Sequence, residues 1–359
     1  MFEGKSVAVV VPCYNEVDQI SKVLETMPDF VDSIIVVDDA SRDGTAEIVR
    51  GAIEARRQGD LPAGQQRTGE IELLTHEVNR GVGAAIVTGY KLAVRRQIDI
   101  TAVMAGDGQM DPKQLRLLLM PLADGEADYT KANRLFYRRA WDVIPRSRYL
   151  GNAFLSMLTK IASGYWHVAD SQTGYTAISL EALETIDLDA LYPRYGYPND
   201  LLVRLNVDGF RVADVPLRPI YSVGEKSKMR VWKVIPRMSW LILKRFHWRM
   251  WQKYVIRDFH PLVLFYAAGT TTGLLSLLFF IRLVYRWIAS GAIPQVNALV
   301  WALCLISSTQ FALFGMWFDM EMNRDLNPFA SRYRSAKRSG GAGTPTRAPT
   351  EEPTVSERK

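Results

Sequence analysis

Two long uncharged stretches near the C-terminal end limit what this chain can fold into. The first runs for twenty residues, Leu262–Ile281, and the second for twenty-three, Val296–Phe318. A helix needs about 20 apolar residues to cross the hydrocarbon layer of a bilayer, so each stretch is long enough. The alternative is a pair of buried helices in a soluble core, but Arg282 and Asp319 end the two runs abruptly. The sequence therefore predicts a membrane hairpin, with residues 282–295 as its short turn.

The positive charge of the chain is concentrated just before this hairpin. The sequence has 44 Lys and Arg against 38 Asp and Glu, and ten of the basic residues lie between Lys226 and Arg257, where no acidic residue occurs. The same segment contains four of the nine tryptophans. Basic and aromatic side chains together favour the lipid headgroup layer, so residues 224–258 are predicted to form interfacial helices rather than a solvated basic face. Because the excess positive charge is confined to this one segment, a nucleic-acid partner is not expected.

Basic residues also predict which side of the membrane holds the two ends of the chain. Two crossings put both ends on one side, and clusters of Lys and Arg precede and follow the hairpin. By the positive-inside rule this side is cytoplasmic, although Arg282 and Arg286 in the turn count weakly against it. The sequence thus predicts an integral membrane protein with four parts: a cytoplasmic domain (1–223), interfacial helices (224–258), a hairpin (259–320) and a disordered cytoplasmic tail (321–359). A chain ending near Val223 is expected to stay soluble.

The first two hundred residues alternate short β-branched runs with helical patterns. Strands are expected at Ser6–Val11, Ser33–Val37, Ile71–Thr75, Ile100–Met104 and Arg211–Val215. Helices are expected near Val17–Met27, Thr45–Glu54, Val82–Arg96 and Pro112–Leu122. This rhythm predicts an α/β fold with a doubly wound, mostly parallel sheet. In such sheets, ligands bind outside the carboxyl ends of the strands.

Polar segments follow four of the expected strands, at the edge where a ligand would bind. They are Pro12–Glu16, Asp38–Thr45, Asn79–Gly81 and Gly106–Gln109. A single acidic loop is usually a turn or a helix cap, as we expect for Asp43 ahead of Thr45. Four such segments on one edge indicate instead a binding crevice.

The residue types in this crevice narrow the class of ligand. The chain has no P-loop motif, and Gly81-Val82-Gly83 lacks the third glycine of a dinucleotide site. With four histidines and no H-E-x-x-H motif, a zinc site is also disfavoured. Oxygen ligands such as Asp107 and Gln109 suit Mg²⁺ or Mn²⁺ held partly by substrate phosphates. The crevice is therefore predicted to bind a nucleotide diphosphate and a divalent ion.

Two motifs together resemble the family-2 glycosyltransferases of the GT-A (Rossmann-like) fold. They are P-x-Y-N-E at Pro12–Glu16 and D-D-x-S-x-D-G-T at Asp38–Thr45. More closely, the chain resembles the polyprenyl-phosphate sugar transferases of the dolichol-phosphate mannose synthase type, from about Ser6 to Lys228, and the hairpin matches bacterial members with two helices. The resemblance implies an inverting, metal-dependent transfer of a hexose from a UDP- or GDP-sugar to a polyprenyl phosphate. The implied partners are the nucleotide-sugar donor, the lipid acceptor and the bilayer. The resemblance is also compatible with a homo-oligomer.

The resemblance also implies roles for individual residues. The donor site would comprise Pro12, Tyr14, Glu16, Val37, Asp39, Arg80, Gly106, Asp170 and Lys228. The residues implied in catalysis are Asp107, Arg134, Arg148 and Asp200. Asp107 with Gln109 would hold the metal, and the two arginines would meet the phosphates. Asp170 opens a D-S-Q-T-G-Y segment that shapes the sugar and acceptor site, and Asp200 stands where relatives that glycosylate hydroxyls keep their base.

Each of these roles has a structural alternative. Asp107 could cap the helix that begins near Pro112, although Asp111 already suits that task. Asp170 and Asp200 could be buried hydrogen-bond acceptors, and either arginine could belong to a surface ion pair.

One departure from the family pattern bears on the metal. The family's D-x-D-x-Q motif is Ala105-Gly106-Asp107-Gly108-Gln109 here, so the first aspartate is absent and weak metal binding is expected. Ala105 also leaves open a non-catalytic, nucleotide-sugar-binding membrane protein. A processive polysaccharide synthase is the nearest enzymatic alternative, but the chain has no Q-x-x-R-W segment and two helices are too few for a translocation pore.

Overall fold

A computed structural model describes residues 1–58, 69–135, 146–218 and 231–329, with only the backbone of 146–148 and 231–234. The strands are β1 (Val7–Cys13), β2 (Ser33–Asp38), β3 (Glu70–Thr75), β4 (Ile100–Val103), β5 (Tyr129–Asn133), β6 (Thr176–Ser179) and β7 (Val212–Pro216). The helices of the first domain are α1 (Ile20–Glu25), α2 (Thr45–Gln58), α3 (Val82–Arg95), α4 (Leu115–Ala123), α5 (Arg146–Ser163), α6 (Leu180–Thr185) and α7 (Tyr197–Val207). Three longer helices follow: α8 (Val231–Trp251), α9 (Leu262–Ser290) and α10 (Gln295–Met322).

The seven strands form one mostly parallel sheet in the order β3-β2-β1-β4-β6-β5-β7. β1 pairs in parallel with β2 and β4, and β2 with β3, so these four strands end at the same edge. β6 runs antiparallel to β4 and β5, and β7 pairs in parallel with β5. The predicted α/β fold class is confirmed, and the five predicted strands lie within two residues of their expected bounds. β5 and β6 were not predicted.

The sheet is buried on both faces, as parallel sheets require. Side chains of β1 alternate between two apolar layers. Val9 faces a layer that includes Ile20 of α1 and Leu118 of α4. Val10 faces a second layer that includes Tyr90 of α3. Residues on both sides therefore fix the central strands, whose carboxyl ends remain available to a ligand.

The two apolar stretches form antiparallel helices that are longer than predicted. The expected turn at 282–295 is wrong, because α9 continues through Arg282 and Arg286 and ends at Ser290. A charge ends an apolar run but not a helix, since Arg is a good helix former. The chain turns only at residues 291–294, where Gly291 adopts the left-handed conformation (φ 68°) that glycine tolerates best.

α9 and α10 are each long and apolar enough to cross a membrane. In their most apolar stretches only 17% and 6% of the residues are buried, which argues against core helices of a soluble protein. The helices pack closely through small residues: Ser308 Oγ donates a hydrogen bond of 2.8 Å to the carbonyl of Gly269. A Cβ on Gly273 would lie 2.8 Å from the same hydroxyl. Glycine thus permits the close approach of the pair.

The basic segment before the hairpin comprises α8 and a π-helical turn, Gln252–Arg257. Four of its basic residues bind the rest of the protein: Arg245, Arg249 and Lys253, which are at least partly buried, and Arg257, which is half exposed. The outward face of α8 carries exposed residues at helical spacing: Pro236, Trp240, Leu243, His247 and Trp251. Part of the excess positive charge therefore holds α8 and the turn after it against the rest of the protein. Contact of the outward face with lipid stays a prediction, and the tail beyond residue 329 lies outside the described residues.

Candidate active site

The loops after β1 and β2 are hydrogen-bonded to each other at the carboxyl edge of the sheet. The hydroxyl of Ser41 accepts a hydrogen bond from the N–H of Asn15 at 2.9 Å. The hydroxyl of Thr45 accepts one from the N–H of Glu16 at 3.0 Å. Both motifs that carry the family resemblance thus form one structural unit.

Asp43 organises this unit by forming the turn that leads into α2, one of the two roles expected for it. Its Oδ1 accepts a hydrogen bond of 3.1 Å from the N–H of Thr45, and its Oδ2 accepts one of the same length from Val17. Although burial alone would raise it, these hydrogen bonds hold the pKa of Asp43 below its usual value. Asp43 therefore has a structural role, as the sequence indicated.

Asp39 connects the second loop to the third. Its buried carboxylate accepts hydrogen bonds from the N–H groups of Arg80 (2.8 Å) and Gly81 (2.7 Å). It also lies 2.7 Å from Nδ1 of His76, whose other ring nitrogen contacts Thr88 Oγ1 at 2.9 Å. Asp39 thus positions Arg80, and its own contact with a nucleoside stays a prediction. His76 was missed because no motif marks it.

The glycines after β3 are explained by a close contact rather than by a dinucleotide. Gly81 has φ +101°, and a Cβ there would lie 2.6 Å from the carbonyl oxygen of Pro193. A Cβ on Gly83 would lie 2.4 Å from the carbonyl oxygen of Tyr192. The N–H of Ala84 donates to the carbonyl of Pro193 at 3.0 Å. The start of α3 is therefore fastened to the loop before α7.

Asp107 and Gln109 lie in the turn after β4, beside the end of β1. Asp107 Oδ1 accepts a hydrogen bond of 3.0 Å from the N–H of Gln109, so the two candidate metal ligands are held together. Nearby, burial raises the pKa of the Cys13 thiol well above its ordinary value, and the carboxylates of Asp38, Glu16 and Asp107 raise it further. Several carboxylates therefore surround the carboxyl end of β1.

The donor set fits a divalent ion that shares its ligands with a substrate. Within the described residues no group of three His, Cys, Asp or Glu side chains is arranged to hold a metal by itself. Mg²⁺ seldom needs one, since it is usually bound by one or two carboxylates together with substrate phosphates and water. One carboxylate from Asp107 and one amide oxygen from Gln109 match that pattern.

Arg134 is fixed by a buried carboxylate on the other side of the crevice. Its Nε and Nη2 lie 2.7 and 3.2 Å from the oxygens of Asp170, which is fully buried, whereas Arg134 is 25% exposed. Burial alone would raise the pKa of Asp170, but the adjacent Arg134 lowers it. Behind this pair, the buried Lys131 donates a 2.5 Å hydrogen bond to the carbonyl of Thr173, and burial lowers its pKa to about 7. The arginine is thus preorganised.

Gln109 and Arg134 line the same solvent-open cleft. The D-S-Q-T-G-Y segment contributes Thr173, Gly174 and Tyr175 to its lining. The structure therefore brings one candidate metal ligand, Gln109, and the candidate arginine Arg134 into one cleft, with Asp107 two residues before Gln109 in the adjoining turn.

The other predicted site residues are placed less directly. Pro12, Val37 and Gly106 are buried, which leaves mainly their backbone to contact a ligand, whereas Tyr14 is 40% exposed. Arg148 lies in the first turn of α5, and its side chain is outside the described part of the structure. Lys228 also lies outside the described residues.

Asp200 is engaged in contacts within the protein. Its side chain is fully buried, with Oδ1 2.7 Å from Nε of Arg245, and Oδ2 accepts a hydrogen bond of 2.8 Å from the N–H of Tyr192. Burial raises the pKa of Asp200 despite the opposing charges of Arg245 and Arg204. These contacts correspond to the structural alternative weighed for this residue.

Comparison with known proteins identifies the family. The sequence profile described as "Glycosyl transferase family 2" matches residues 8–187, half of the chain. A UDP-N-acetylglucosamine–dolichyl-phosphate N-acetylglucosaminyltransferase of Methanococcus voltae is 29% identical over 219 residues, covering 61% of this chain and 87% of that protein. An undecaprenyl-phosphate mannosyltransferase of Micrococcus luteus is 28% identical over 226 residues, covering 62% and 87%.

A solved structure also matches the chain. It is the glucosyl-3-phosphoglycerate synthase from Mycobacterium tuberculosis in complex with Mn²⁺, uridine diphosphate and glucosyl-3-phosphoglycerate. The match has 20% sequence identity, a TM-score of 0.47, and covers 68% of this chain and 80% of that one. The resemblance predicted from the two motifs is confirmed by the family profile: the chain belongs to glycosyl transferase family 2 and is a glycosyltransferase.

Proposed function

We propose that the protein transfers a hexose from a nucleotide diphosphate sugar to a polyprenyl phosphate at the cytoplasmic face of a membrane. The observation that carries the proposal is the single cleft shared by Gln109 and Arg134. A divalent ion and an arginine suit the two anions of such a reaction, the donor diphosphate and the acceptor phosphate. The acceptors named for the relatives, a dolichyl phosphate and an undecaprenyl phosphate, support this acceptor class.

The reaction needs little acid–base chemistry from the protein. An oxygen of the acceptor phosphate attacks the anomeric carbon of the donor sugar, the bond from that carbon to the diphosphate breaks, and the nucleoside diphosphate leaves with the bonding electrons. A phosphate monoester has a second pKa of about 6, so at pH 7 it is mostly a dianion and already nucleophilic. The remaining obstacle is repulsion between two anions. Arg134, held in place by Asp170, would reduce it.

Asp107 and Gln109 would hold Mg²⁺ or Mn²⁺ together with the donor diphosphate. Such an ion, when bound, stabilises the negative charge that develops on the leaving diphosphate. The hydrogen bond from the backbone N–H of Gln109 orients the Asp107 carboxylate, which limits the reorganisation that this ligand requires on binding. Without the first aspartate of the motif, the donor diphosphate supplies a larger share of the ligands.

The contacts of Asp200 favour a phosphate over a hydroxyl acceptor. A sugar hydroxyl is a poor nucleophile at neutral pH and needs a general base. The carboxylate of Asp200 is engaged by Arg245 and by the N–H of Tyr192. A nucleophile that is already deprotonated does not require this carboxylate.

Placement at a membrane is supported by α9 and α10, whose apolar side chains are mostly exposed. A lipid-linked acceptor keeps its tail in the bilayer, so the crevice must lie near the membrane surface. The exposed basic residues Arg237 and Lys244 on α8 and Arg324 after α10 favour the cytoplasmic side.

The proposal is tested with the full chain in lipid nanodiscs. A panel of labelled UDP- and GDP-sugars is supplied with either a polyprenyl phosphate or the corresponding polyprenol, with Arg134→Ala as the control. We expect an acid-labile lipid product from one donor, only with the phosphate and only with a divalent ion. A product formed from the polyprenol, or none from the phosphate with any donor, would show the acceptor assignment to be wrong.

A further inference from the structure

α8 carries two arginines on one face that bind different parts of the molecule. Arg245 and Arg249 are four residues apart and so project from the same side of the helix. Arg245 Nε lies 2.7 Å from Oδ1 of Asp200, at the start of α7. Arg249 Nη1 lies 2.8 Å from Oδ1 of Asp319, near the end of α10. One face of α8 therefore ties the catalytic domain to the second helix of the hairpin.

The Arg249–Asp319 pair is fully buried on both sides. Arg249 forms a second hydrogen bond to the carboxylate, from Nη2 to Oδ2 at 2.9 Å, and its Nε donates to the carbonyl of Ala162 at the end of α5. Asp319 also accepts hydrogen bonds from Tyr254 Oη (2.8 Å) and Trp166 Nε1 (3.3 Å). The three guanidinium nitrogens of Arg249 and both carboxylate oxygens of Asp319 therefore each have a hydrogen-bond partner, so the pair is oriented.

A second set of contacts joins the end of the hairpin to α7. Asn206 Nδ2 donates a hydrogen bond of 2.7 Å to Oδ1 of Asn323, the residue that follows α10. Lys253 Nζ donates to the same oxygen at 2.8 Å and to the carbonyl of Asn206 at 2.9 Å. α7 also holds the loop before it, because Asp200 accepts a hydrogen bond from the N–H of Tyr192. That loop contacts the start of α3 at the crevice. Contacts thus run from the hairpin to the edge of the crevice.

Buried ion pairs are a poor means of gaining stability, because apolar residues of similar size are often as stabilising or more so. What a bidentate pair provides is geometry: the guanidinium plane and the carboxylate plane fix the angle between their helices. Asp319 directly follows the uncharged stretch of α10. A fixed angle here sets the tilt of the whole catalytic domain relative to the hairpin.

We propose that Arg249 and Asp319 are positioning residues, which set the height and tilt of the crevice over the bilayer so that a membrane-anchored phosphate reaches the cleft. This inference rests on the proposed function for its activity measurement. An acceptor held in the bilayer can approach from only one direction, and transfer falls steeply when reacting groups are misplaced by about 1 Å. A short acceptor that is soluble in water can enter the crevice whatever its tilt.

The test compares the two acceptors in lipid nanodiscs. We expect Asp319→Asn to lower transfer to a long-chain polyprenyl phosphate by about tenfold or more, and transfer to a water-soluble, short-chain analogue by no more than about twofold. The matched control is Glu321→Gln, which removes an exposed ion pair of 3.2 Å with Arg324 near the same helix end. It should leave both rates unchanged. A loss of stability alone would lower both rates alike, and that result would overturn the proposal.

A second variant guards against the misfolding of Asp319→Asn, which leaves Arg249 buried without its partner. The double change Arg249→Met with Asp319→Leu replaces the pair by apolar side chains, a change that buried sites often tolerate. We expect the same selective loss with the long-chain acceptor. A full rate with that acceptor would show that the pair is dispensable for positioning.

A distance measurement tests the coupling independently of any sugar transfer. Spin labels are attached at Glu184→Cys in the catalytic domain and Ser290→Cys at the far end of α9, both exposed positions. The distance distribution should be narrow in the parent protein and in Glu321→Gln, and broad in Asp319→Asn. An unchanged distribution in Asp319→Asn would contradict the proposal. Failure of the parent protein to use any polyprenyl phosphate would instead refute the proposed function, and the distances would still decide on the coupling.

Discussion

Asp107 is the residue on which the assignment of a metal depends. Its Oδ1 accepts a hydrogen bond from the backbone N–H of Gln109, which stabilises the turn after β4 that carries both candidate ligands. Ala105 stands at the position of the first aspartate of the family motif. Because Asp107 is the only one of the two candidate ligands that carries a charge, a single substitution removes the negative charge of the pair.

We expect Asp107→Asn to lower turnover at saturating donor by about a hundredfold or more, because stabilisation of the leaving diphosphate is lost. Ala105→Asp, which restores the family pattern, should lower the concentration of Mg²⁺ or Mn²⁺ needed for half-maximal activity. Asp124→Asn is the control, since Asp124 is an exposed carboxylate at the end of α4 and does not line the cleft. Normal metal-dependent activity in Asp107→Asn would remove the basis for this assignment.

Asp214 in β7 belongs to a buried polar cluster behind Arg134, which also contains Lys131, Asn133 and Asp170. Its ionisation tests how this cluster is organised. Burial raises its pKa to about 7, and its carboxylate accepts hydrogen bonds from the N–H of Ala169, at 3.0 Å, and from Asn133. Between about pH 4 and pH 7 the folded protein therefore keeps a proton that the unfolded chain has lost. Stability should fall across this range as the pH rises.

Asp214→Asn should remove this part of the pH dependence, because an amide does not titrate but keeps the shape of the side chain. The melting temperature of the purified protein in detergent, measured at intervals from pH 4 to pH 8, checks this. We expect the curve of the parent protein to fall more steeply towards neutral pH than the curve of Asp214→Asn. Parallel curves would show that Asp214 ionises at an ordinary pH.

At the scale of elements, the sequence predicted the strands that lead into the crevice but not β5 and β6. β1, β2 and β4 are almost wholly apolar, and their pattern is visible. β5 has the sequence YTKAN and is buried throughout, since Lys131 and Asn133 find partners in Thr173 and Asp214. Those partners lie 42 and 81 residues away, so the local pattern does not show that polar residues can be buried there.

The same limit applies to α8. Its basic residues were predicted from composition to face lipid, yet Arg245 and Arg249 bind carboxylates 45 and 70 residues away in the chain. Composition gives the number of charges but not the direction in which each one points. In the candidate site, likewise, the motifs predicted Asp107, Gln109 and Arg134, whereas His76 depends on a contact that only the fold creates.

The link between α7 and α8 gives a prediction about catalysis. Asp200 binds Arg245, so Asp200→Asn should lower the melting temperature by weakening this contact, while much of the transfer rate is kept. Arg134→Ala and Arg148→Ala should each lose about a hundredfold or more in rate, if each arginine screens or orients the attacking phosphate. The rate of the parent protein should also fall below about pH 6 as the acceptor phosphate protonates.

Rates and melting temperatures of these three variants, measured side by side with the same donor, distinguish the two kinds of acceptor. If Asp200→Asn abolished transfer while both arginine variants stayed active, Asp200 would be the base and the acceptor a hydroxyl. Arg245→Met is a useful companion, because it removes the same ion pair from the other side without changing the carboxylate.

At the scale of the whole molecule, the boundary predicted at residue 223 does not separate two independently packed parts. α8 packs against α5 through five buried apolar side chains: Leu155, Ala162, Met238, Leu241 and Ile242. It also supplies Arg245 to the buried Asp200. The first 223 residues would therefore end before an element that completes their own core.

Two shortened chains test this arrangement. A chain ending at Val223 should aggregate, because it exposes the apolar face of α5 and leaves Asp200 without Arg245. A chain ending at Phe259 retains α8 and, with Arg249→Met to remove the arginine that loses Asp319, should fold and bind the donor nucleotide, as measured by size-exclusion chromatography and calorimetry. Neither should transfer sugar to a long-chain polyprenyl phosphate in a bilayer, since both lack the hairpin that holds the crevice at the membrane.

The two chains separate the contributions of α8 and the hairpin. Nucleotide binding by the chain ending at Val223, with the affinity of the full chain, would show that α8 is not needed for the fold and that the sequence-based boundary was adequate. A full transfer rate from the chain ending at Phe259 would show that α8 alone docks the domain on lipid. In that case its exposed stripe from Pro236 to Trp251 would be sufficient, because no other described element of that chain combines exposed tryptophans with basic residues. The expected result is that the chain ending at Phe259 binds the donor without transferring sugar. It would show that α8 is needed for the catalytic domain to fold and that the hairpin is needed for the crevice to reach the lipid acceptor.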